Sequence, residues 1–189
     1  MDLRIKQEMK KDNLWEKTIK SEEIYSGKIV HLRKDEVILP NGKKSTREII
    51  EHPGAVVILA ENELGKLIMV RQYRKPVEEI LLELPAGTIE PSEKIIDCAQ
   101  RELEEETGYQ SKNWRKIFEF YSAPGFCNEK LTLYFACNLI KTKSNTDHDE
   151  FIEVVEIDKK EIGLLLKKKQ IRDAKSLVGI LWWLSNERK

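Results

Sequence analysis

Cysteine is scarce in this chain of 189 residues, occurring only as Cys98, Cys127 and Cys137. An odd number without C-x-x-C spacing excludes a disulfide framework and a cysteine-based zinc site. The histidines, His31, His52 and His148, stand far apart and form no zinc-binding pattern. No apolar run approaches the roughly 18 residues of a membrane-spanning helix. The opening MDLRIKQEMKKDNLWEK contains no uninterrupted apolar stretch, so no signal peptide is expected there. Neither sign of charge is in excess, with 33 Lys+Arg against 33 Asp+Glu, which excludes a generally basic nucleic-acid binder. There is no repeat and no low-complexity linker. A phosphate-binding P-loop also fails, because Gly42-Lys43-Lys44-Ser45 has Val37 where the earlier glycine is required. These absences leave a soluble protein of a reducing, cytoplasmic compartment, with neither membrane nor nucleic acid as partner.

Hydrophobic residues make up 40% of the chain and charged residues 35%, the balance of a globular domain. The length corresponds to about 1.3 average domains, one domain with an appendage. The first fifty residues read as strands and a turn. Ile29-Val30-His31-Leu32 and Val37-Ile38-Leu39 are β-prone, and Asn41-Gly42 is a strong hairpin signal. Residues 55–60, AVVILA, suit a strand buried on both faces, and 67–70 resume a strand after the turn at 62–66. Further strands are expected at 114–121, 130–138 and 151–157, and helices at about 92–107 and about 172–187. In the last helix Trp182 and Trp183 join Ile180, Leu181 and Leu184 as a packing cluster. The mixture predicts an α/β layered domain over residues 51–189, preceded by a strand-rich extension over residues 1–50.

The segment 93–107, EKIIDCAQRELEEET, follows Ser92, a candidate N-cap, and precedes Gly108, a candidate stop. With Glu102 at zero on the helical wheel, Ile95, Ala99, Leu103 and Ile96 fall at about 20°, 60°, 100° and 120°. Glu106 lies at about 40° and Glu105 at about −60°, while Glu104 lies at about 200°, away from the apolar stripe. Carboxylates crowded at a buried border repel one another and lose hydration unless a cation or proton compensates. Acids near a helix C-terminus also oppose the macrodipole. Two readings fit: a structural ion-pair cluster around Arg101 and nearby lysines, or a divalent-metal site whose all-oxygen ligands would favour Mg²⁺ or Mn²⁺.

The spacing around this helix decides the resemblance. Gly87, five residues, Glu93, seven residues and then Arg101-Glu102-Leu103-Glu104-Glu105-Glu106-Thr107-Gly108-Tyr109 resembles the Nudix box, G-x5-E-x7-R-E-U-x-E-E-x-G-U, where U is bulky and aliphatic. Only Tyr109 departs, a ring at the last U position. The flanking sequence is similar to the ADP-ribose pyrophosphatase branch of that family. Arg47-Glu48-Ile49 ahead of His52-Pro53-Gly54-Ala55-Val56, Val70-Arg71-Gln72-Tyr73-Arg74 and Leu84-Pro85-Ala86-Gly87 carry that similarity, with Pro124 in Ser122-Ala123-Pro124-Gly125-Phe126.

The resemblance implies an α/β/α sandwich with a mixed sheet. It also implies Mg²⁺-dependent attack of water on the pyrophosphate of a nucleoside diphosphate derivative, with ADP-ribose giving AMP and ribose 5-phosphate. By matching positions it makes Glu102, Glu106 and the Ala86 carbonyl metal ligands, and Glu105 a further ligand or the holder of a metal-bound water. Arg101 orients the acids, Glu93 is structural and Glu104 is solvated. In Thr146-Asp147-His148-Asp149-Glu150-Phe151-Ile152-Glu153, Glu150 takes a metal-proximal catalytic position. His148 stands where related enzymes carry a proton-accepting glutamate, so His148, Asp149 or Glu150 is the candidate base. Arg47 and Arg74 match ligand-contacting positions, Glu129 a position facing the terminal ribose, and Ile29 and Val30 an adenine-contact segment that core packing explains equally well. Related enzymes pair their N-terminal strands across a two-fold axis, which implies a homodimer. The alternatives are hydrolysis of another nucleotide sugar or dinucleotide, such as GDP-mannose, and a nucleotide-binding regulator that has lost catalysis.

Overall fold

Apolar at every position, the run AVVILA becomes a strand packed on both faces. The computed structural model, which describes residues 13–143 and 151–186, shows what covers each face. In chain order the elements are β1 (Lys17–Ser26), β2 (His31–Ile38), β3 (Lys44–Glu51), β4 (Ala55–Glu61), β5 (Leu67–Arg74), β6 (Glu79–Glu83), β7 (Ala86–Thr88) and α1 (Ile95–Thr107). There follow β8 (Tyr109–Gln110), β9 (Asn113–Tyr121), β10 (Lys130–Cys137), β11 (Ile140–Lys141), β12 (Ile152–Ile157), α2 (Lys159–Lys167) and α3 (Ala174–Ser185). They form two compact units. One contains the residues up to His52 with Ala123–Glu129; the other contains Pro53–Ser122 and the residues from Lys130 onward.

In the larger unit a seven-stranded sheet runs β12-β5-β4-β10-β9, with β6 paired to β5 and β7 to β4. The sheet is mixed, because β4 and β10 are parallel while the other pairings are antiparallel. Side chains alternate across β4 with period two. Ala55, Val57 and Leu59 join Ile162 of α2 and Ile180 and Trp183 of α3. Val56, Ile58 and Ala60 join Cys98, Ala99 and Leu103 of α1. Helices therefore cover both faces, an α/β/α sandwich. Trp183 is buried in the first cluster and Trp182 packs on Phe135, with ring centroids 6.0 Å apart.

Local signals misplace some boundaries. The α1 helix begins at Ile95 with Lys94 as N-cap and no side-chain cap bond, whereas Ser92 lies in a turn at φ 67°. Glu93 closes that turn instead, its carboxylate accepting from Glu90 N at 3.0 Å. The C-terminal stop is Gly108, left-handed at φ 68°, donating to Glu104 O. Helix α3 starts at Ala174 behind the Asp173 N-cap, and α2 is an element that sequence periodicity did not reveal.

The smaller unit contains the antiparallel sheet β1-β2-β3. The Asn41-Gly42 turn joins β2 to β3, with Leu39 N donating to Lys43 O at 2.8 Å and Gly42 at φ +80°. The two β-prone runs of this region are parts of one strand, which begins only at His31 and leaves Ile29 and Val30 exposed before it. Ala123–Glu129 adds to this unit through Ile50 N to Phe126 O at 2.8 Å and Asn128 N to Ile50 O at 3.1 Å.

Gly179 of α3 shows how closely helix and sheet approach. A Cβ there would lie 2.5 Å from Leu84 Cδ1 and 3.3 Å from Leu133 Cδ1, and both leucines are fully buried. Gly179→Val is therefore expected to cost about 1–3 kcal/mol through overpacking. An unchanged urea midpoint for that variant would contradict this packing.

Candidate active site

A splay in the sheet creates the place for the site. Strands β4 and β5 pair only at Ala60↔Ile68 and Glu61↔Leu67. Beyond that point β6 takes over the edge of β5 and β7 the edge of β4, so the segment Leu84-Pro85 crosses between them. Ile58 N donates to Pro85 O at 2.8 Å, and Leu84 N donates to the buried Ser176 Oγ at 2.7 Å. Ala86 N donates to Glu106 Oε2 at 3.0 Å, which fastens the next backbone unit to α1. Gly87 then passes so close to the helix that a Cβ would lie 1.8 Å from the Glu102 carboxyl carbon. The glycine of the motif thus leaves the Glu102 carboxylate its place, and a side chain here would have to push that carboxylate aside.

The acids of α1 gather around one guanidinium. Arg101 Nε and Nη2 donate to the two oxygens of Glu93 at 2.9 and 3.0 Å. Its Nη1 donates to Glu102 at 2.8 Å and to Glu105 at 3.0 Å. Hydrogen bonding from Arg101 lowers the Glu93 pKa to about 2 despite opposing desolvation. The same bond, taken with the charges of Glu102 and Glu105, raises the pKa of Arg101. Cys98 beneath them is fully buried, and burial pushes its thiol up to about 12, so it is a packing residue and not a nucleophile. Glu106 is buried against Ala86, while Glu104 is half-buried.

Ala86, Glu102, Glu105 and Glu106 are thus brought together in the larger unit. Arg74 lies in the same unit and grips Glu83 with two hydrogen bonds, at 2.9 and 2.8 Å. The charge of Glu106 is also felt at Arg74, behind the stronger effect of Glu83. Arg47, Glu129, Ile29 and Val30 belong to the smaller unit. Arg47 donates to Glu16, to Ser45 Oγ and to Thr46 O. Glu129 has His52 Nδ1 at 3.7 Å. His148, Asp149 and Glu150 lie outside the described residues. Sequence reasoning did not single out Glu83, Lys175 or Ser176. An acid inside the apolar run Ile80-Leu81-Leu82-Glu83-Leu84 was the available signal for the first.

The NUDIX domain family model matches residues 51–178, and the nucleoside diphosphate sugar hydrolase N-terminal domain model matches residues 16–50. The chain belongs to the Nudix family. It is 45% identical over 170 residues to an ADP-ribose pyrophosphatase of Bacillus subtilis, covering 89% of this chain and 92% of that protein. It is 44% identical over 167 residues to a methanol dehydrogenase activator of Bacillus methanolicus, covering 87% and 90%. A crystal structure of an ADP compounds hydrolase superposes with a TM-score of 0.79 at 20% identity, covering 91% of this chain and 96% of that one, a likeness of fold.

The residues of this Nudix helix fit a hard divalent cation. Every candidate donor is an oxygen, and the missing Cβ of Gly87 makes room for the Glu102 carboxylate beside the Ala86 strand. Among the described residues no three His, Cys, Asp or Glu side chains close a metal cage. Mg²⁺ does not demand one, since it keeps several waters and completes its shell with one or two carboxylates and substrate phosphates.

The Glu93–Arg101 pair has a pH signature. Glu93 titrates near 2 when folded and at about 4.3 when unfolded, so the unfolded chain takes up the proton first. The pair's contribution is complete above the unfolded value and is lost as pH falls through the folded one. With chelator present, urea unfolding between about pH 4.3 and 2 should lose stability less steeply in Arg101→Met than in the parent. Identical acid limbs would refute the assignment.

Proposed function

We propose that this Nudix protein hydrolyses the pyrophosphate bond of a nucleoside diphosphate derivative, with ADP-ribose as substrate and AMP and ribose 5-phosphate as products. One observation carries the reading: the similarity to the Bacillus subtilis ADP-ribose pyrophosphatase runs nearly end to end, with the motif acids complete. Nudix hydrolases generally work with divalent metals, and Mg²⁺, with Mn²⁺ as substitute, suits this oxygen donor set. Glu102, Glu106 and the Ala86 carbonyl would hold it, with Glu150 adding a fourth oxygen source. A cation held there would supply charge neutralisation at the phosphates and a water of lowered pKa. Glu105 would hold a water beside it or serve as a further ligand. Arg101 gathers Glu93, Glu102 and Glu105 and offsets their mutual repulsion. Arg74 and Arg47 bind phosphate or ribose oxygens, or stack on the base. Glu129 faces the terminal ribose, and Ile29 with Val30 the adenine. The proton of the attacking water goes to the segment 146–153, to His148 or to its neighbours Asp149 and Glu150.

A panel of nucleoside diphosphate derivatives, with products identified, tests the substrate. ADP-ribose should lead, and preference for GDP-mannose or a dinucleotide would move the assignment. Glu106→Gln should cut turnover by two orders of magnitude or more, on the scale of roughly 10²–10³ for one lost electrostatic group. Near-normal turnover in that variant would sink the metal assignment. In the same assay His148→Ala should lose roughly 10² to 10⁴ if it is the base, whereas a silent His148→Ala beside a crippled Glu150→Gln places the base elsewhere.

The domains follow the same reading, with residues 1–50 as a dimerisation and nucleotide-contact extension and residues 51–189 as the hydrolase domain. In β1 all ten residues are exposed, Ile19, Ile24 and Tyr25 among them. So few strands bury too little surface to stand alone, and a second copy of the chain would cover them. A homodimer whose Arg47 enters the neighbour's nucleotide site predicts complementation. When Arg47→Ala and Glu106→Gln proteins exchange subunits, one pocket of the mixed dimer carries both defects and the other none. Activity should partly recover; a monomer in sedimentation, or no recovery after verified exchange, would defeat the shared site.

A further inference from the structure

Strand β6 ends in a carboxylate that the catalytic reading does not use. Glu83 is only 1% exposed, and an unpaired carboxylate there would be costly enough to take a proton or unfold the strand. Two cations meet it instead. Arg74 donates Nε to one oxygen at 2.9 Å and Nη2 to the other at 2.8 Å, while Lys175 Nζ donates to the second oxygen as well. Lys175 also reaches Asp173 Oδ1 at 2.9 Å, and that same oxygen accepts Ser176 N at 3.0 Å as the N-cap of α3. Two positive and two negative groups thus close into a neutral cluster. Burial pushes the Glu83 carboxyl upward, but Arg74 and Lys175 outweigh it and the net shift is downward, so the group is held ionised.

The geometry of the fork matters more than its charge. A bidentate guanidinium–carboxylate pair fixes the plane of the guanidinium as well as its position. Engaging Nε and Nη2 leaves Nη1, to which no described residue is hydrogen-bonded, and the Arg74 side chain is 39% exposed. Glu106 acts on Arg74 electrostatically, so the guanidinium lies within charge range of the acids of α1. The start of α3 fixes both partners of the site: Lys175 braces Glu83, and Ser176 Oγ takes the N–H of Leu84, two residues before Ala86. Glu83 itself cannot be the contact, since it is shut away from solvent and would repel an anion.

We propose that Glu83, braced by Lys175 and the Asp173-capped start of α3, is a positioning residue that holds Arg74 with its Nη1 edge turned to the pyrophosphate of the substrate. The inference deepens the function proposed above and rests on Arg74 being a substrate contact.

Steady-state hydrolysis of ADP-ribose by the parent, Glu83→Gln, Arg74→Ala and the double variant tests it, with a thermal melt of each. Glu83→Gln should raise KM roughly tenfold, the scale of one charged hydrogen bond, with kcat within about threefold. Combined with Arg74→Ala it should raise KM no further; the melting temperatures of the two variants are coupled through their shared hydrogen bonds, so the melts check folding and KM carries the test. The same KM increase in both backgrounds would overturn the positioning role. An Arg74→Ala protein with unchanged KM would overturn the substrate contact and the proposal with it. A parent enzyme that hydrolyses no nucleoside diphosphate derivative would instead overturn the proposed function. Should Glu83→Gln not fold, Glu83→Asp keeps the charge on a shorter stem. Its smaller KM increase must also vanish beside Arg74→Ala, and persistence there would refute the proposal.

Discussion

Mutual repulsion among carboxylates at the end of one helix governs this architecture. Helix α1 carries Glu102, Glu104, Glu105 and Glu106 in its last two turns and no basic residue in its last turn, so its own dipole adds to the repulsion. The guanidinium of Arg101 offsets part of it, taking Glu93, Glu102 and Glu105 together. The rest must come from packing. Cys98, Ala99 and Leu103 are fully buried against β4, and the left-handed Gly108 lets the chain leave at once. A helix placed for stability alone would turn these acids to water. This one keeps them beside a backbone strand, where a divalent cation would relieve what the protein leaves unbalanced.

That strand reaches the acids because the sheet comes apart. Two residue pairs hold β4 to β5, and the gap beyond them admits β6 and β7. Leu84 and Pro85 are buried and Ala86 partly so, and Leu84 N, Pro85 O and Ala86 N each need a partner. Ser176, Ile58 and Glu106 supply them from α3, β4 and α1 respectively. Three elements far apart in sequence therefore fix one short segment, and a defect in any of them would be felt at Ala86.

What the sequence made legible was local. Seven consecutive spacings of the Nudix box, the Asn41-Gly42 turn and the unbroken apolar run of β4 depend on neighbours within a few residues, and each appears where it was expected. The two-sided burial of β4 follows from having no polar position to spare. Strand β1 escaped notice because every residue is exposed, so no alternation marks a face. Helix α2 was hidden by Gly163 and its lysines, although Asp158 followed three residues later by Glu161 is a capping pattern. Glu83 was hidden for another reason. Its partners Arg74 and Lys175 lie 9 and 92 residues away, and only the fold joins them.

Arginine 101 and arginine 74 carry the same charge among acids of the same unit, and the number of carboxylates around each separates their tasks. All five N–H groups of Arg101 are engaged, by Glu93 twice, by Glu102 and Glu105, and by Thr88 O at 3.4 Å. An anion could gain that guanidinium only by displacing one of these acceptors. Arg74 spends three of its hydrogen-bonding positions less, because one carboxylate holds it through two atoms. Lys175 and Asp173 complete a neutral cluster with Glu83 and Arg74, so what Arg74 keeps for an anion is the hydrogen-bonding capacity of its Nη1 edge and not a net charge. The saturated arginine is taken up by the acids, and the unsaturated one keeps the edge that the proposed ligand contact would use, a difference of hydrogen-bond capacity alone.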